Sequence, residues 1–91
     1  MINIIMPLQH LSKNEARLNG IPKHTIQTIL FMKDKYTLKQ SRDWLKSHGE
    51  LYQNYRIEGE HRRFQQNPPI IGAKYYAKKI TPQITFIFQE Y

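Results

Sequence analysis

Thr25 to Met32 is a run of eight residues with no Gly, no Pro and no charge, and it is rich in Ile and Thr. Such a run predicts a strand. In an extended chain Ile29 and Phe31 share one face, while Ile26, Thr28, Leu30 and Met32 share the other. A strand that is apolar on both faces belongs in the middle of a sheet or beneath a cover. With 91 residues and no cysteine, the cover must come from apolar packing alone, in one small domain. A chain of this size buries only roughly 60–65% of its unfolded surface.

The surrounding sequence supplies that cover. Thr37 to Gly49 predicts a capped helix: Thr37 and Gln40 form a capping box, and Gly49 fits the position just past the C-terminus. Leu38, Ser41 and Leu45 repeat at helical spacing with Trp44 beside them, so one face packs on a sheet. Lys39, Arg42 and Lys46 repeat on another face as a basic stripe. A shorter helix is expected over residues 11–20, with Ser12 and Glu15 as its capping box and Gly20 and Pro22 as its stop. Tyr52 to Ile57 and His61 to Gln66 read as two strands around a Glu58-Gly59-Glu60 turn, ended by Asn67-Pro68-Pro69. In the second of these, Arg62, Phe64 and Gln66 share one face, and His61, Arg63 and Gln65 the other. Lys74 to Ile80 and Ile84 to Gln89 read as a last hairpin, with Ile84, Phe86 and Phe88 toward the core. The expected fold is α+β: a small, mostly antiparallel sheet carrying one capped amphipathic helix, with a short N-terminal helix. Its core should contain Phe31, Leu38, Trp44, Leu45, Phe64, Ile84 and Phe86.

Fourteen Lys/Arg against seven Asp/Glu give a net charge of +7, which excludes an acidic protein and permits an anionic partner. The excess lies at residues 33–48 (net +3) and 68–91 (net +2), with the rest near Lys13, Arg17 and Lys23. Ile occurs twelve times and Val never, and Lys outnumbers Arg nine to five, as A/T-rich codons would favour. Coding bias alone can therefore raise the lysine content. No apolar run approaches the roughly 18 residues of a membrane span. Residues 1–7 are apolar but lack the basic flank and cleavage site of a secretion signal. They read as a first strand or an apolar arm, and the location expected is intracellular.

Residues 26–88 resemble a small module of bacteriophages and large eukaryotic DNA viruses. The resemblance rests on Leu30-Phe31, Lys35-Tyr36-Thr37, Trp44-Leu45-Lys46-Ser47-His48-Gly49, Arg63-Phe64-Gln65-Gln66-Asn67-Pro68-Pro69, and Lys79-Ile80 with Ile84 onward. It covers about two thirds of the chain, leaving residues 1–24 as an extension to a core at 25–91. Gln65 stands where the family has Arg, which removes one positive charge. The family has no settled biochemical activity, and in phages it often lies beside or within head-assembly proteins. The resemblance therefore implies a viral origin, with a place in the cytoplasm or nucleus of an infected host or in the virion, more than it implies a reaction.

Little in the chain suggests an enzyme. It has no Gly-x-Ser-x-Gly, no P-loop and no Gly-rich dinucleotide fingerprint. His10, His24, His48 and His61 are scattered singly, without zinc-ligand spacing. Glu58, Glu60 and His61 are better explained as a solvated turn than as metal ligands. No cofactor and no metal are expected. The leading expectation is a small basic, non-enzymatic protein that binds DNA or RNA through phosphates. Lys39, Arg42 and Lys46 would form the helical contact, with Arg63, Lys74, Lys78 and Lys79 nearby. Tyr52, Tyr55, Tyr75 and Tyr76 could stack on bases, or simply pack on a half-buried sheet. The alternative is a virion or assembly module that binds other proteins or itself, using residues 4–6 or the Phe86-Ile87-Phe88 strand at a sheet edge. A small hydrolase or nuclease is a third reading.

Overall fold

A computed structural model describes residues 10–91, so the strand or arm expected over residues 1–7 lies outside the described residues. The elements are α1 (Lys13–Leu18), β1 (His24–Met32), α2 (Leu38–Ser47), β2 (Tyr55–Glu58), β3 (His61–Gln65), β4 (Lys74–Thr81) and β5 (Ile84–Glu90). The five strands form one sheet in the order β2-β3-β1-β5-β4, and every neighbouring pair is antiparallel. The fold is therefore α+β, and β1 lies at its centre.

Local chemistry explains the connections. Gly59 supplies the positive φ (59°) that the tight turn between β2 and β3 needs at its first central residue. The β4–β5 turn is held by Thr81, whose hydroxyl accepts from the Gln83 and Ile84 amides at 3.1 Å each. Both helices begin with a capping box: the Ser12 and Thr37 hydroxyls accept from the Glu15 and Gln40 amides, and the Glu15 and Gln40 side chains accept from the Ser12 and Thr37 amides. Past α2, Gly49 takes φ 72° and the Glu50 amide returns to the Leu45 carbonyl at 2.9 Å.

One face of the sheet carries α2. Ile29, Phe31, Leu45, Phe64 and Ile84 are fully buried there, and Leu38, Trp44, Phe86, Tyr36, Tyr52 and Tyr55 pack around them partly exposed. Phe31 is the hub, with Tyr36, Trp44 and Phe64 rings at centroid distances of 5.2–5.6 Å. Ile26 packs in this same cluster, although simple alternation puts it on the opposite face. The cause is a β-bulge: two residues of β1, from Ile26 to Thr28, span one step of β5, from Phe88 to Ile87. The extra residue, Gln27, resets the alternation. Its carbonyl accepts from the Gln66 amide at 2.8 Å, and the Asn67 side chain bonds Thr25 and Ile26.

The segment Pro69–Gly72 crosses the other face of the sheet and leaves an open cleft of about 650 Å³, floored by Thr28, Leu30, Arg63 and Ile87. Leu11 bridges to Ile70, which anchors the start of α1 to this crossing segment. Phe86, Ile87 and Phe88 lie in β5, which is paired on both sides, by β1 and β4. That strand cannot offer an edge to another subunit, contrary to expectation; among the described residues the outer strands are β2 and β4.

Candidate nucleic-acid interface

Strand alternation and the helix register together decide which cations meet. On α2, Arg42 and Lys46 are one turn apart and lean toward the β2 side of the sheet. The Arg42 Nε donates to the Tyr52 carbonyl at 3.2 Å, and its guanidinium carbon lies 5.7 Å from the Tyr55 ring centroid. Lys46 Nζ sits 4.8 Å from the Tyr52 centroid. Both separations suit a cation over an aromatic face. From β3, Arg62 reaches the same place: its Nε donates to the Tyr36 carbonyl at 2.7 Å and its Nη1 to the Tyr55 hydroxyl at 2.9 Å. Tyr55 is fixed from beneath by Phe64, at a centroid distance of 5.0 Å.

The segment between α2 and β2 that carries Tyr52 is held by Gln66. Its side-chain amide bonds both the N–H and the C=O of Leu51, each at 2.9 Å, as a neighbouring strand would. The site is thus built on fixed backbone. Its charge is unbalanced, because among the described residues the ion pairs involve His24, Lys39, Arg56 and Arg63, and none involves Arg42, Lys46 or Arg62.

The other expected cations are dispersed. Lys39 is ion-paired with Asp43 at 2.8 Å. The bond and charge of Asp43 raise the Lys39 pKa, and the bond from Lys39 lowers that of Asp43. Arg63 lies on the face of the sheet away from α2. Its guanidinium bonds Glu58 at 3.2 Å and reaches Gln27 and Thr28 at 3.3 and 3.1 Å. Arg63 therefore belongs to a structural clamp and does not join the helical patch. Lys74 and Lys78 stand on the α2 face but on the opposite flank of the helix, in register with Glu90 and Phe86. Lys79 points to the far face with Tyr75 and Ala77.

Arg62 replaces Arg63 as the strand's contribution. The signal for it is in the sequence: Arg62 shares a strand face with Phe64, and Phe64 is core. The tyrosines divide as well. Tyr52 and Tyr55 are half-buried in the basic cluster, Tyr76 stacks on Phe88 at 5.4 Å, and the Tyr75 hydroxyl is bound to the Ile70 backbone.

No group of three or more His, Asp or Glu side chains among the described residues could hold a metal ion. Glu58 is engaged with Arg56 and Arg63, and His48 stacks on Trp44 at 3.8 Å while its Nδ1 donates to the Trp44 carbonyl. No helix among the described residues is long and apolar enough to cross a membrane. No family model, curated protein or solved structure matches the chain. Nothing points to an enzymatic activity.

Proposed function

We propose that this chain is a small basic, virus-encoded, non-enzymatic protein that binds nucleic acid through its phosphates, along the flank of α2 facing β2 and β3. One observation carries the reading. Arg42 and Arg62 converge on Tyr55, with Lys46 alongside on Tyr52, and none of the three is in an ion pair among the described residues. Gathering like charges without a counter-charge is unfavourable unless an anion visits, and a phosphodiester supplies one. The guanidinium edges not spent on Tyr36, Tyr52 and Tyr55 remain as donors. Because Tyr52 and Tyr55 are half-buried beneath the cations, phosphates rather than bases are what this surface meets. Binding is then salt-dependent and tolerant of sequence.

The test is affinity for single- and double-stranded DNA and RNA over a salt series, for the native chain and for Arg42→Gln with Lys46→Gln. Log affinity is expected to fall linearly with log salt, with a shallower slope in the double variant. No binding at low salt, or an unchanged slope in the variant, rejects this surface.

A further inference from the structure

The two outer strands of the sheet among the described residues are built differently. β2 has four residues, and its charges are internally matched, Arg56 with Glu58 and Glu58 with Arg63. β4 has eight residues, seven of them exposed, and no strand among the described residues pairs with its outer edge. It carries Lys74, Lys78 and Lys79 and no acidic residue. Lysines on an edge deter chance pairing, and short or bulged strands do so as well. β4 is long and regular up to a single irregularity between Lys79 and Thr81.

Its side chains form a pattern on the α2 face. Lys74, Tyr76 and Lys78 point there, in register with Glu90, Phe88 and Phe86 of β5. Tyr76 lies flat on Phe88, with the rings inclined by 18°, and is 48% exposed. Phe88 leads to Phe86 at 6.0 Å and on to Trp44 at 6.1 Å. On the opposite face the Tyr75 hydroxyl is bound to both the amide and the carbonyl of Ile70, which pins the strand from behind. The edge is thus held in place, with an aromatic step between two cations.

We propose that the β4 edge accepts an extended acidic peptide as a sixth, outer strand. Side chains alternate along a strand, so the partner's residues at i, i+2 and i+4 fall beside Lys74, Tyr76 and Lys78. The matching pattern is acidic-x-apolar-x-acidic, with the apolar side chain extending the Tyr76–Phe88 step. Main-chain hydrogen bonds supply affinity, and the paired charges supply register and direction. A second copy of β4 does not fit this description, because a two-fold pairing would put three lysines from each chain into one ribbon with no carboxylate. This edge lies across α2 from Arg42, Lys46 and Arg62, so it stands or falls separately from the nucleic-acid surface.

The experiment titrates the full chain with a labelled peptide centred on Glu-Thr-Ile-Thr-Glu, followed by fluorescence anisotropy and amide exchange. Saturable binding with new exchange protection in β4 is expected. The same peptide N-methylated on every backbone nitrogen of that segment keeps its charge but cannot form the ladder, and its binding should be lost. Lys78→Glu should weaken binding by about tenfold, and a peptide with Lys in place of only the Glu beside position 78 should then bind better than the original. Equal binding of the N-methylated peptide would show mere charge attraction and overturn the proposal. So would absence of binding, protection confined to other strands, or β4-dependent self-association of the protein alone in light scattering.

Discussion

Arg62 and Arg63 are adjacent in the chain and belong to different layers. Arg62 faces α2 and donates to Tyr36 and Tyr55, whereas Arg63 faces away and is clamped by Glu58, Gln27 and Thr28. Arg62→Gln should therefore reduce the slope of log affinity against log salt by about one, as expected for one lost phosphate contact. Arg63→Gln should leave that slope unchanged and lower stability instead, since it strips bonds from the buried Gln27 and Thr28. Salt titration and chemical denaturation of the two variants separate the cases. Leu45 is fully buried in the core; truncating it to Ala should cost about 2–5 kcal/mol in a denaturation experiment. At this scale the sequence is partly legible. Alternation already groups Arg62 with Phe64, but nothing local announces that three side chains from elsewhere tie down Arg63. The ion pair that occupies Lys39 is legible as an i, i+4 spacing, and its effect is to remove one expected contact.

Among the elements, the sequence motifs turn out to be fastenings. Trp44 and His48 stack, Gly49 closes the end of α2, Phe64 fills the core, and Gln66 and Asn67 grip Leu51 and the β1 bulge. A motif made of such residues specifies a shape and leaves chemistry to the surface. The Thr37 cap belongs to this group, and Thr37→Ala should cost about 0.5–2 kcal/mol, read by thermal or denaturant unfolding. The cap of α1 adds a pH dependence. The Glu15 carboxylate accepts the Ser12 amide, which holds its pKa below the ordinary value. Its contribution is therefore complete above the unfolded carboxylate pKa and is lost as pH falls through the lowered folded value. Amide protection factors in α1, taken relative to the intrinsic exchange rate at each pH, should fall on acidification, and Glu15→Gln should abolish that dependence. Strand positions are legible from β-branched runs and turn residues. The bulge at Gln27 is not, because it arises where distant Gln66 and Asn67 supply partners that the regular ladder would lack. That one inserted residue is why the sequence pattern misassigns Ile26.

For the molecule as a whole, charge and topology are legible to different degrees. The excess of +7 is plain in the sequence, but its division between the two flanks of α2 and the far face depends on the order β2-β3-β1-β5-β4. An α+β class with an antiparallel sheet follows from element order, whereas the cleft of about 650 Å³ depends on where Pro69–Gly72 crosses. Neutralising Asp43 with Asn removes a carboxylate from the α2 surface and releases Lys39, so nucleic-acid affinity at low salt should rise; an unchanged or weaker affinity would place the binding surface elsewhere. The order of strands also fixes a sequence in time. The central strand β1 is made early, yet its neighbours β3 and β5 lie well after it in the chain, and β5 follows every other described element. During synthesis from the N-terminus, α2 can cover one face of β1 early, but β1 waits with an edge unpaired until Ile84 and the residues after it have emerged. A translating ribosome that stalls before Ile84 leaves a product with one side of its central strand bare, and such fragments should be recovered with chaperones or in aggregates rather than as partly folded domains.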